Sequence, residues 1–139
     1  MNSNKILIAG IAGGVVFFLL GWLVYGILLM DFMMTNAGPG AAGMHKDPME
    51  MWAMVVANLA WGFFFAILFG RWSTGITPAQ GAARGAIVGL LVAIYLDMAM
   101  YSTTTIFTPN TLLADIAAMT VIAAVGGWIV AFILGMGRK

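Results

Sequence analysis

Asp97 stands alone among apolar residues between Gly85 and Phe107. An ionised carboxylate deep in a membrane costs about 3 kcal/mol or more, so the fold must keep Asp97 neutral, paired or wet. Asn58, Tyr101 and Asp115 are polar side chains that the spacing places in the same half of the spans as Asp97, with Asp31, Tyr95 and Thr103 to Thr105. Tyr101 is one helical turn from Asp97 and can donate to it. Two chemistries suit this set. The first is an interhelical hydrogen-bond cluster with Asp97 protonated, which would fix the packing. The second is a proton or cation site open to one side of the membrane.

Methionine forms the second constellation. Apart from Met1 and Met136, every methionine falls in the half of the chain's spans that also holds Asp97. Met44, His45, Met49, Met51 and Met54 are close in sequence, and Met51 and Met54 lie one turn apart. Thioethers are soft ligands that select copper(I), and an imidazole can complete such a set. The plainer expectation is a pliable packing layer without any cofactor. Other chemistries find no residues. The absence of cysteine removes thiolate catalysis and iron–sulfur ligation. A single histidine cannot supply bis-histidine haem ligation or a histidine-rich zinc site. Gly38 to Gly43 has the glycine spacing of a phosphate loop, but Met44-His45 stands where Lys-Ser/Thr is required, and the stretch reads as a flexible loop. No catalytic residues emerge, and the chain is expected not to be an enzyme.

These residues need a scaffold, and composition names it. The chain has 139 residues, 63% of them hydrophobic and 8% charged, against roughly 25% charged in soluble domains. Mean hydropathy is +1.02. This describes one integral membrane domain over residues 1–139, in contact with the lipid bilayer. The net charge of +1 gives no reason to expect a nucleic-acid partner. A spanning helix needs about 20 apolar residues, and four segments qualify, at approximately 5–31, 48–71, 78–107 and 109–137. The first is too long for a signal-peptide core and reads as a retained anchor. Asp47-Pro48, Thr77-Pro78 and Thr108-Pro109 each put a capping oxygen before a proline at the first helical position. Glu50 and Gln80 complete capping boxes at the first two. Lys5, Arg71, Arg84, Arg138 and Lys139 collect on one side and Lys46 on the other. The positive-inside rule then makes both termini cytoplasmic, in a bacterial inner membrane.

The expected fold is all-α, a four-helix bundle. Two tandem hairpins related by a pseudo-twofold along the membrane normal are indicated by a shift of about 67 residues. That shift lays Trp61, Phe65, Gly70 and Arg71 over Trp128, Phe132, Gly137 and Arg138. One residue off that register, Asp31 lies over Asp97. Gly85, Gly89, Ala93, Asp97, Tyr101 and Thr105 recur every fourth residue and define one small-residue face, which turns Asp97 inward.

Gly21-Trp22-Leu23-Val24-Tyr25-Gly26, together with Asp97 to Phe107, a short turn and a glycine-containing last helix, resembles a family of small bacterial four-helix membrane proteins of unknown function. The resemblance implies a four-span inner-membrane protein and carries over no catalytic residue. The leading reading is an accessory or interaction module, acting as a homo-oligomer or as a subunit of a membrane complex. The alternative is a proton- or soft-metal-linked transport or binding protein that uses Asp97 and the methionine/histidine set.

Overall fold

Side-chain oxygens of Asn2, Thr77 and Thr108 cap three helix starts. The computed structural model describes residues 2–136, so Gly137, Arg138 and Lys139 lie outside the described residues. Helix α1 spans Ser3–Leu23 and runs into a wider turn, Val24–Leu28, before the short α2, Met30–Asn36. Helices α3 (Met51–Trp72), α4 (Pro78–Thr103) and α5 (Pro109–Gly135) follow. At 1.5 Å per residue the four long elements reach roughly 33–40 Å, enough to cross a hydrocarbon core of about 30 Å. Four membrane-spanning helices are therefore present, by length and composition.

The boundaries differ from expectation in three places. The first span is interrupted: the Leu29 amide donates to Val24 O at 2.7 Å, five residues back, in a π-type turn that contains Gly26. Such turns are a recognised cause of helix kinks. The second span starts at Met51. Glu50 holds the cap position without a side-chain cap bond and instead accepts from Lys46 Nζ at 2.7 Å. The third span ends at Thr103, before Phe107. Ser102 and Thr103 donate to Ala99 O, and Thr104 donates to Met100 O, at 2.7 to 2.9 Å. These side chains compete with the backbone for the last carbonyls, and Thr104 is extended. Capping boxes close at Thr77–Gln80 and at Thr108–Thr111.

The chain folds as two hairpins, α1 with α3 and α4 with α5, and α5 also packs on both α1 and α3. The exchange between hairpins is unequal, because α4 rests chiefly on α5. Positions matched by the internal shift accordingly occupy unlike environments. Phe65 is fully buried and Phe132 is 48% exposed, while Asp31 is exposed and Asp97 is buried.

Glycine sets the packing distance. Gly10 and Gly14 of α1 face Gly62 of α3, and a Cβ at Gly62 would land on their backbone. Gly81, Gly85 and Gly89 of α4 lie against Ala123, Gly127 and Ala131 of α5 in the same way. Phe17 fills the space left by Gly126 and meets Phe65 at 5.2 Å, and Phe65 meets Phe69 at 5.5 Å. With Ile76, Val130 and Leu134 these rings form a dry core in the half of the bundle nearest the chain's N-terminus.

Two ends follow. At the basic end, Arg71 Nη2 donates to Ser3 Oγ at 3.3 Å and the Lys5 ammonium donates to the Met136 carbonyl. The second contact sets a cation on the C-terminus of α5, where helix carbonyls carry partial negative charge. At the distal end, the Gly38 and Gly40 amides donate to Ile106 O (2.9 Å) and Thr105 O (3.0 Å), and Thr108 Oγ1 donates to Asn36 O at 2.6 Å. The glycine-rich loop expected to be flexible is therefore docked, at Gly38–Gly40, on the connection between α4 and α5.

Candidate functional site

The small-residue face of α4 carries Asp97 inward. Gly81, Gly85, Gly89, Ala93 and Asp97 are its buried residues, and Asp97 is 7% exposed. Gly89 and Ala93 let α5 approach closely, which leaves little room for a long side chain and brings the α5 backbone level with Asp97.

Asp97 lies six residues before Thr103 closes α4, and Asp115 lies six residues after Pro109 opens α5. Because the two helices are antiparallel neighbours, both carboxyls lie at one level, about 9 Å in from the distal helix ends. Asp97 is thus nearer the distal surface than the middle of the membrane. The early end of α4 at its Ser-Thr-Thr-Thr run is the reason. Tyr25 reaches the same level from the turn after α1. Asp115 is the electrostatic neighbour of both Asp97 and Tyr25.

The trio is underpartnered. By geometry no hydrogen bond forms at the buried Oδ2 of Asp97 or at the buried Tyr25 hydroxyl, and the one polar group beside both is the Asp115 carboxyl, within hydrogen-bonding reach of each. Buried polar atoms are nearly always satisfied, and exceptions call for a cause. No protein cation answers the charge from within the described residues. Lys5, Arg71 and Arg84 belong to the basic end, and Lys46 pairs with Glu50 in the exposed distal loop.

The other residues singled out by sequence lie elsewhere. Tyr101 is 41% exposed. Being one turn beyond Asp97 carries it past the packed part of α4, so it is not the donor expected. Asn58 donates from Nδ2 to Met54 O at 2.9 Å on its own helix and adds no bond to the acid pair. Met44, His45 and Met49 lie exposed on the distal loop, and Met51 and Met54 project from the exposed first turns of α3. No group of three or more His, Cys, Asp or Glu gathers as a metal-ligand set among the described residues.

Tyr25 is the site residue that sequence reasoning missed. The signal was present. Gly10, Gly14, Phe17, Gly21 and Tyr25 share one face at helical spacing, and Tyr25 closes that face as Asp97 closes the face of α4. Tyr25 also falls inside the π-type turn, a feature frequent at functional sites.

The arrangement can hold a proton between two carboxyls, or a small cation among two carboxyls and a phenol oxygen. The chain was compared with protein-family models, curated proteins and solved structures, and nothing matched in any of the three.

Proposed function

We propose that this protein is a non-enzymatic accessory module of a bacterial cytoplasmic membrane, with both termini cytoplasmic. Its outward half accepts a proton or a small cation at Tyr25, Asp97 and Asp115. The observation that carries this reading is the buried Oδ2 of Asp97, beside a second carboxyl and without a hydrogen bond by geometry, with no cation to balance either among the described residues. A buried charge must be met by something, and a proton or a small cation would meet this one. The reading is one of binding without passage. Phe17, Phe65, Phe69, Ile76, Val130 and Leu134 are at most 1% exposed and pack the layers between the acid pair and the basic end.

Infrared difference spectroscopy tests the site. In sodium-free buffer the wild type should show the carbonyl band of a protonated carboxylic acid, shifted by deuterium exchange and absent from Asp97→Asn. A spectrum without any band that Asp97→Asn removes, from acid to alkaline buffer, would overturn the reading.

The orientation rests on Lys5, Arg71 and Arg84 at one end, with exposed Trp72 there and exposed Trp52 at the other as interfacial residues. The native chain has no cysteine. Met44→Cys should label with an impermeant maleimide in spheroplasts, and Thr74→Cys should label only after lysis. Both positions are exposed and neither is a positive-φ glycine, unlike Gly75. The opposite labelling pattern would invert the orientation.

A further inference from the structure

We infer that the Tyr25–Asp97–Asp115 site takes a small hard monovalent cation of the sodium type, bound in competition with a proton; this rests on the reading of the site proposed above. Three observations point to that class. The first is charge. The groups that meet at this level are Asp97 from α4, Asp115 from α5 and Tyr25 from the turn after α1. From α3, Asn58 is occupied by its own backbone. One proton and one monovalent cation together neutralise two carboxylates.

The second observation is the set of donors. Carboxylate and phenol oxygens are hard acceptors, and Asp97 Oδ2 is buried beside the Asp115 carboxyl with no hydrogen bond formed by geometry. Calcium takes six to eight oxygen ligands, and magnesium keeps strict octahedral geometry with several waters. Two carboxyls and one phenol fall short of either without a large water-filled space. Two surface cavities lie away from the site, one bounded by Gly40 and residues 102–106 and the other by Gly75 to Pro78 and the end of α5. Three protein oxygens favour a small monovalent occupant.

The third observation is the interrupted helix. Tyr25 stands in the π-type turn, and α2 restarts only at Met30. Broken helices in membranes bring backbone carbonyls to bound sodium ions or protons. The turn that follows α1 holds Tyr25, the neighbour of the acid pair.

The test uses the purified full-length chain in detergent. Thermal unfolding is compared in choline, sodium and calcium chlorides at matched ionic strength. Sodium in roughly hundredfold excess over its Kd should raise Tm by about 5 °C relative to choline. The shift should vanish in Asp97→Asn and Asp115→Asn and shrink in Tyr25→Phe. Should Asp97→Asn fail to fold, Asp115→Asn and Tyr25→Phe provide the same readout. An equal shift with calcium at lower concentration would overturn the monovalent assignment. A sodium shift that survives in Asp115→Asn and Tyr25→Phe would place the cation elsewhere and overturn the proposal. No shift with any cation, while the infrared band of a protonated carboxyl persists, would overturn the cation and leave the proton-accepting site standing. Neither shift nor band would remove both.

Discussion

Gly62→Ala should lower the stability of the protein in detergent by about 2 kcal/mol, while Gly21→Ala should be neutral or raise it. In an unpacked helix either change would gain up to roughly 1 kcal/mol, because alanine restricts the unfolded chain and favours the helix. The two sites differ in what the new methyl group meets. At Gly62 it falls on the backbone of Gly10 and Gly14, which cannot rotate away, so α1 and α3 must separate. Overpacking of this kind costs typically 1–3 kcal/mol, and separation also opens the aromatic layer around Phe17 and Phe65. At Gly21 a methyl group meets nothing within 4 Å. Thermal unfolding followed by tryptophan fluorescence compares the two. Equal effects would mean that α1 and α3 do not pack through their glycines.

Asp97→Leu should make the unliganded protein more stable, by about 1 kcal/mol, and abolish its response to sodium. Leucine is branched at the same atom as aspartate and fits a similar space. In wild type, Oδ2 is desolvated without a hydrogen bond, and an unsatisfied buried acceptor costs about 1–3 kcal/mol. Replacing it with an apolar group removes that cost, just as buried ionic groups can often be replaced by hydrophobic ones without loss. A hydrogen bond from Tyr101 to Asp97, the arrangement expected from sequence, gives the opposite sign. Asp97→Leu would then break that bond and destabilise. The direction of the change, measured in choline buffer, separates an acid held for a ligand from an acid held for packing. A loss of stability would show that Asp97 has an internal partner.

Stability and binding then oppose each other at one residue. Both variants test the same division of the molecule, into a basic half that is dry and close-packed and a distal half that keeps an unsatisfied acid.

Much of this was legible in the chain because its causes are local. Four apolar stretches of sufficient length specify four spanning helices whatever they pack against. The boxes at Thr77 and Thr108 involve residues three apart, so chemistry within one turn sets the starts of α4 and α5. Gly85, Gly89, Ala93 and Asp97 were readable as one inward face, since a spacing of four survives in any straight helix. Tyr101 and Tyr25 mark the limit. Each continues a small-residue face by one turn, yet Tyr101 is exposed and Tyr25 reaches the acid pair. That outcome depends on where neighbouring helices end and on the extra residue in the turn at Val24–Leu28. Phe65 and Phe132 make the same point from the apolar side. In water, a polar face would reveal which phenylalanine points outward. In lipid, the outside is as apolar as the core, so hydropathy is silent about orientation and only the glycines and the rare polar residues report the interior. Span number, the starts of α4 and α5 and the inward turn of Asp97 were therefore determined by sequence alone. The meeting of Asp97 with Asp115 and Tyr25 was decided by tertiary structure, because it requires three helices to converge at one depth and no local pattern records that depth.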